Sequence, residues 1–188
     1  MSQELAHSLY TNIDKSLLFS DEVQAITGYS SAIIRTLYSR KHLELTYTPP
    51  TGRGVKAQYA MFDVIEIMAY AEISRLGVHP TFTGAWKDGD PLAIGIANCV
   101  LDQIHALSGN TKPRLRALPG KKELEKIPCG SEKYVIIYYD ESADGIWAIW
   151  APDAVCDIEY SGVARVIIDC EKLALKALNI FAQYKSRI

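Results

Sequence analysis

Residues 19–80 constrain the fold more than any other part of the chain, because their patterns place two short helices, a hairpin and a longer helix in a fixed order. Ser20 and Asp21 are good N-cap residues for a first short helix. Gly28 follows where a left-handed residue lets the chain turn tightly. Ser30 or the serine after it can cap a second helix. The segment therefore predicts a helix-turn-helix at its start.

The two predicted helices have a small apolar side and a polar outer side. The expected core between them consists of Val23, Ile26, Ile33, Ile34 and Leu37. The expected outer face consists of Tyr29, Ser30, Ser31, Ala32, Arg35, Thr36, Ser39 and Arg40. Small hydroxyl residues at a helix start, followed by arginines, suit a helix that enters a DNA major groove. The alternative is a helical hairpin with a solvated polar face.

A hairpin is predicted next. Leu43, Leu45 and Tyr47 alternate with polar residues, which is the period of a strand. A Pro- and Gly-rich turn over 49–54 leads to a returning strand that contains Val55, Ala57 and Tyr59. Arg53 at the tip and Lys56 just beyond it would suit a wing that lies along the DNA backbone or in the minor groove. An ordinary surface hairpin with incidental cations is the alternative.

In order and spacing, these elements resemble the MerR-like winged helix-turn-helix, a family of bacterial regulators and related phage proteins. The matching residues are Gly28-Tyr29-Ser30 in the turn, Arg35 in the second helix, Tyr59 after the wing, and Arg75-Leu76-Gly77-Val78 at the end of the third helix. The resemblance covers about a third of the chain. Ala57 stands where the family carries an arginine, and Lys56 precedes it.

The residues and the resemblance together imply a DNA-contacting set. The recognition surface is expected at Tyr29, Ser30, Ser31, Arg35 and Thr36, the backbone contacts at Arg40 and Lys41, and the wing contacts at Arg53, Lys56 and Tyr59. Residues 29–58 contain five cationic side chains and one carboxylate, which gives this segment a net charge of +4. The whole chain carries −2, so the remainder carries −6. A basic patch on an acidic body favours a placed DNA contact over indiscriminate coating.

The expected organisation is an N-terminal tail or loose helix (1–16), a winged helix-turn-helix domain (17–80), a linker (81–90) and an α+β domain (91–188). Apolar periodicity predicts a helix over 61–76 and another that begins near Pro91 and ends before Ser108. The second is expected either to pack between subunits or to lie in the core of its own domain. Residues 111–128 read as a charged connection, with room for a short helix over 121–126.

The C-terminal half is predicted to contain a small antiparallel sheet with helices on it, so the fold class is α+β. Strands are expected over 134–139, 146–150, 155–160 and 163–168. A final helix over 170–185 is expected to be capped by Asp169. Tyr138, Tyr139, Trp147, Trp150 and Tyr160 are candidates for an aromatic ligand pocket, although core and dimer contacts are favoured.

Several classes of chemistry lack their sequence signatures. The four cysteines, Cys99, Cys129, Cys156 and Cys170, form no C-x-x-C pair and are expected to be reduced and mostly buried. The sequence contains no phosphate-binding glycine loop with its lysine and no G-x-S-x-G motif. We therefore expect a protein that is not an enzyme and needs neither cofactor nor metal. The first residues lack an apolar leader, which favours the cytoplasm over a membrane.

These patterns predict a sequence-specific DNA-binding transcriptional regulator, with repression favoured over activation, that acts on double-stranded DNA as a homodimer or higher oligomer. Three alternatives stay open. One is an architectural DNA-binding protein of phage or plasmid type, such as an excisionase-like or partition protein. Another is a regulator whose C-terminal aromatic residues bind a small-molecule effector. The third is use of the winged helix against another protein.

Overall fold

The structure is a computed structural model that describes residues 3–45, 57–78, 92–110, 112–117, 124–140, 145–151 and 165–187. Its fold is mixed α+β. The helices are α1 (Gln3–Thr11), α2 (Ser20–Thr27), α3 (Ser31–Ser39), α4 (Met61–Arg75), α5 (Leu92–Leu107) and α6 (Cys170–Tyr184), with a 3₁₀ turn at Lys185–Arg187. The strands are β1 (Ser16–Phe19), β2 (Gln58–Ala60), β3 (Arg114–Ala117), β4 (Leu124–Ile127), β5 (Tyr134–Asp140), β6 (Gly145–Ala151) and β7 (Arg165–Asp169).

Three small antiparallel sheets are formed by the described strands. β1 pairs with β2, β3 pairs with β4, and β5 lies between β6 and β7. The chain enters α6 directly from β7, and the Asp169 carboxylate accepts a hydrogen bond from the Lys172 N–H at 2.8 Å. The cap predicted from the sequence is therefore confirmed.

One hydrophobic core connects the helices with the three-stranded sheet. α4 packs against α5 and α6, and α1 packs against α5 and α6. The core includes Ile67 of α4, Val100 of α5, Phe181 of α6 and Val135 of β5, all of which are fully buried. The core is thus continuous between residues on the two sides of 81–90, a segment that lies outside the described residues. The first residues, expected as a tail or loose helix, form α1, with Leu9 fully buried.

The end of α6 is attached to the N-terminal elements. The Arg187 guanidinium donates two hydrogen bonds to the Glu22 carboxylate, at 2.6 and 2.7 Å, and a third to the carbonyl of Leu17 at 3.1 Å. It also lies over the rings of Phe19 and Tyr184. This contact fixes the start of α2 to the last turn of the chain.

Two regions differ from the sequence prediction. Residues 114–117 and 124–127 form the β3–β4 hairpin, so the short helix expected over 121–126 is wrong for its described part. Charged and apolar residues alternate in β3, Arg114-Leu115-Arg116-Ala117, and that period of two is typical of a strand. The strand expected to return from the wing is present as β2, but it pairs with β1, whose strand character was not predicted.

The long elements match their predictions. α4 and α5 occupy the two predicted helices, and β5, β6, β7 and α6 lie where the C-terminal strands and helix were expected. The strand expected over 155–160 falls outside the described residues. In the part of the chain that the structure describes, no helix has the length and apolar character needed to cross a bilayer.

Candidate nucleic-acid interface

A tight turn joins α2 to α3 and determines how α3 is presented. Gly28 adopts φ of +82°, and its N–H donates to the Gln24 carbonyl at 2.8 Å, which ends α2. This left-handed conformation is costly for residues with a Cβ. Two residues later, the Ser30 hydroxyl accepts a hydrogen bond from the Ile33 N–H at 3.4 Å and caps α3. The predicted helix, turn and second helix are therefore present.

The ring of Tyr70, on α4, holds α3 at both ends. Tyr29 precedes α3 and meets Tyr70 edge-to-face, with ring centroids 5.9 Å apart. His42 follows α3 and stacks on the same ring, with centroids 6.5 Å apart. Ile34, at the centre of α3, is fully buried. The helix is consequently fixed on the core by contacts at its start, middle and end, and its opposite side faces outward.

The C-terminus of α3 ends in a Schellman motif whose left-handed residue is a lysine. The Lys41 N–H donates to the Tyr38 carbonyl at 3.0 Å, and the His42 N–H donates to the Leu37 carbonyl at 2.9 Å. Lys41 has φ of +58°, a conformation in which glycine is usual. The motif therefore places an exposed cation immediately beyond the helix, at a cost in backbone strain.

The outward side of α3 carries exposed cations and no carboxylate. Arg35, Thr36, Arg40 and Lys41 are exposed. Within the described ranges, ion pairs join Arg75 to Glu72, Lys133 to Glu171 and Arg187 to Glu22, and none involves Arg35, Arg40 or Lys41. The sequence of α3, SAIIRTLYS, contains no acidic residue. The three cations together make this surface attractive to a polyanion.

The hydroxyl groups on this surface form hydrogen bonds with the backbone of α3 itself. The Thr36 hydroxyl donates to the Ala32 carbonyl at 3.0 Å, and the Ser39 hydroxyl donates to the Thr36 carbonyl at 2.9 Å. Ser30 uses its oxygen as the N-cap. These groups were expected to bond to bases or phosphates, but in the free protein they satisfy backbone groups.

The structure brings most of the predicted contact residues to one surface, with Tyr59 as an exception. Tyr29, Ser30 and Ser31 are half-buried at the start of α3, but Tyr59 is fully buried and belongs to the core under that helix. Burial raises the pKa of the Tyr59 phenol. Ser31 lies beside its hydroxyl, yet no hydrogen bond of normal geometry links that hydroxyl to a described residue. We therefore assign Tyr59 to the support of α3 rather than to its contact surface.

Ile33 is a second departure from the sequence prediction. The expected core between α2 and α3 included Ile33, but its side chain is 43% exposed, whereas the adjacent Ile34 is fully buried. Neighbouring residues on a helix point about 100° apart, and α3 is rotated so that Ile34 faces the core and Ile33 does not. Ile33 consequently lies on the outward side with Ala32 and Thr36, which are also exposed.

The predicted wing residues Arg53 and Lys56 lie outside the described residues, but the base of that segment is described. Leu43 and Leu45 are buried there. The Glu44 N–H donates to Glu66 Oε1, in α4, at 2.7 Å. The segment that follows α3 is thus anchored to the same helix that holds α3 through Tyr70.

Glu66 is a buried carboxyl group that was not among the residues predicted from the sequence. It is fully buried, and its Oε2 atom has no hydrogen-bond partner among the described residues. Its pKa is raised to about 7: burial has the largest effect and raises it, the hydrogen bond from Glu44 lowers it, and the nearby charges of Asp63 and Glu44 raise it. Near neutral pH this carboxyl group is therefore divided between its neutral and charged forms. An acidic residue within the apolar run 64–71 was the available signal.

The C-terminal aromatic residues can be followed only through the strand register. Tyr138 lies opposite Trp147 in the register, and Val135 lies opposite Trp150. Tyr138 itself is only 6% exposed. Tyr160 lies outside the described residues.

The described cysteines are reduced thiols, as expected. Cys99 and Cys170 are buried, and Cys129 is half-buried. A hydrogen bond with Cys99, together with burial, raises the pKa of the Cys170 thiol. Among the residues that the structure describes, no three His, Cys, Asp or Glu side chains converge in a way that could hold a metal ion. Cys156 lies outside those residues.

Comparison of the chain with protein-family models, with curated proteins and with solved structures gave no match.

Proposed function

We propose that this protein binds double-stranded DNA through α3 and acts as a sequence-specific transcriptional regulator. The observation that carries the proposal is the outward surface of α3, where three exposed cations have no ion-pair partner among the described residues and the helix has no carboxylate. A helix fixed at both ends on a rigid core is suited to the major groove, which accommodates one α-helix.

The proposed roles divide by position. Arg35, with the start of α3, reads base edges, while Arg40 and Lys41 contact phosphates beyond the end of the helix. Arg53 and Lys56 extend the contact as a wing of the MerR-like type. Two copies of the chain, related by a two-fold axis, place two such helices in successive major grooves and multiply modest individual affinities. Repression is the simplest output, because occupancy of a promoter site alone can exclude other proteins.

The decisive variant is Arg35→Ala. Arg35 is exposed, so its removal leaves the core intact, while tight binding to a selected DNA site is lost. Lys176→Ala, which removes an exposed cation from α6, is the matched control and should bind as the wild type does. Equal affinities for wild type and Arg35→Ala on the selected site would overturn the assignment of α3. Strong bending of many unrelated sequences would point instead to an architectural protein.

A further inference from the structure

Ile33 is the large apolar side chain among the exposed residues of α3, and its placement has no explanation in the fold. At 43% exposure it contributes little to the core, which already contains Ile34 from the same turn. Its N–H is the group capped by Ser30, so Ile33 lies in the first turn of the helix. In helix-turn-helix proteins, that first turn is the part that contacts base edges.

The neighbours of Ile33 supply few free polar donors. The Thr36 hydroxyl donates its proton to the Ala32 carbonyl, while the Ser30 hydroxyl is half-buried and accepts from the Ile33 N–H. What α3 offers outward beside Ile33 is therefore the methyl group of Ala32 and the apolar side of Thr36, while Arg35, two residues further on, points about 160° away around the helix axis. An arginine and a set of methyl groups distinguish bases in two ways. Arginine bonds to guanine, and methyl groups pack against the 5-methyl group of thymine.

We propose that Ile33 is a specificity-determining residue that contacts the 5-methyl group of a thymine in the major groove. This inference rests on the proposed function, because it assumes that α3 enters DNA. It adds a chemical prediction about the target: each half-site contains a thymine whose methyl group contributes to affinity. Uracil in place of that thymine keeps base pairing and hydrogen bonding and removes only the methyl group.

The test uses a DNA site selected from random duplexes by the full-length protein. Synthetic duplexes of that site then carry deoxyuridine in place of each thymidine, one position at a time. Wild-type protein should lose about fourfold in affinity at one position per half-site, the effect of one buried methyl group. Ile33→Ala should bind the thymidine and deoxyuridine duplexes equally, and Ile33→Val should retain part of the discrimination. Leu175→Ala, which truncates an aliphatic side chain of α6 that is 37% exposed, should discriminate as the wild type does.

The outcomes separate this inference from the function on which it rests. If selection recovers no site, the proposed DNA binding fails and the role of Ile33 fails with it. If a site is recovered but no deoxyuridine substitution weakens binding by the wild type, DNA binding stands and the role of Ile33 is overturned. That role is likewise overturned if Ile33→Ala discriminates as strongly as the wild type. Discrimination by the wild type that is lost in Ile33→Ala supports both.

Discussion

The buried Glu66 carboxylate accepts a hydrogen bond from the backbone N–H of Glu44 at 2.7 Å, which joins α4 to the chain just after α3. One oxygen is satisfied, while the other has no partner among the described residues. A charged carboxylate in this position is costly, because burial and the nearby charges of Asp63 and Glu44 all oppose ionisation. The protein therefore contains a proton-linked contact beneath its proposed DNA-binding surface.

Stability is predicted to fall as pH rises through the pKa of Glu66. Its pKa is about 7 in the folded protein, above the ordinary value of 4.5. The neutral carboxyl group contributes to the free energy of unfolding, and this contribution is fully present below pH 4.5. It is lost as pH rises through 7, and the total loss at high pH is about 3 kcal/mol. Glu66→Gln keeps the acceptor for Glu44 and removes the charge. Urea unfolding of this variant between about pH 5.5 and 8.5 should show a flatter profile and greater stability at the alkaline end.

An exposed acid provides the control for that experiment. Glu4→Gln, on α1, should reproduce the pH profile of the wild type. The proton-linked role of Glu66 is contradicted if the wild type and Glu66→Gln lose stability in parallel over this pH range.

Substitutions of Lys41 should separate backbone strain from charge. Lys41→Gly relieves the left-handed conformation and should stabilise the protein by about 1 kcal/mol. Lys41→Ala keeps that conformation with a Cβ and gives no such gain. Both variants remove the same cation from each subunit of the dimer, so both should lower DNA affinity alike on all sequences and reduce the salt dependence by about two units of slope. Thermal unfolding and DNA titration measure the two effects, and different DNA affinities for the two variants would contradict the phosphate-contact role.

Tyr70 is predicted to couple the stability of the core to the placement of α3. Tyr70→Leu removes the ring contacts with Tyr29 and His42 and should cost about 1–3 kcal/mol, with a parallel loss of DNA affinity. Tyr70→Phe retains the ring and should keep most of both properties. Chemical unfolding and DNA titration of the two variants provide the comparison. Equal DNA affinity for Tyr70→Leu and wild type would show that α3 does not depend on this anchor.

The contact between Arg187 and Glu22 should make the stability sensitive to acid. Arg187 lowers the pKa of Glu22, so the stabilisation is present above the ordinary carboxyl pKa and is lost as pH falls through the lowered value. Arg187→Ala should lower the melting temperature at neutral pH by roughly 2–4 °C. The difference from wild type should shrink as the solution is acidified toward about pH 3. Arg75→Ala breaks an exposed i,i+3 pair with Glu72 and should change the melting temperature less.

Elements with strong periodicity were predictable from the sequence. Long apolar runs predicted the helices α4 and α5, and a run of β-branched and aromatic residues predicted the strand β5. β1 was missed because a short apolar run carries no distinguishing period, and its strand character depends on its partner β2, which lies far away in sequence. The β3–β4 hairpin was missed because β4, Leu124-Glu125-Lys126-Ile127, has no alternation that would indicate a strand.

The candidate site was predictable in its polar residues and not in its apolar and buried ones. Arg35 and Arg40 were placed on the outward surface by helical spacing alone. The burial of Tyr59 could not be deduced, because it depends on how β2 and α4 support α3. The choice between Ile33 and Ile34 as the core residue likewise depends on the rotation of α3 about its axis. That rotation is set by Tyr70 and by the turn at Gly28.

DNA recognition by α3 is tested most directly by selecting fragments of the source genome with the purified protein and titrating the recovered fragments against salt. We predict a repeated or inverted site whose half-site spacing matches about one helical turn. Arg40 and Lys41 of two subunits supply four phosphate contacts, so these contacts should make the logarithm of affinity fall with the logarithm of salt with a slope of about −4. Recovery of nothing above background, or binding that does not change with salt, would contradict DNA recognition by α3.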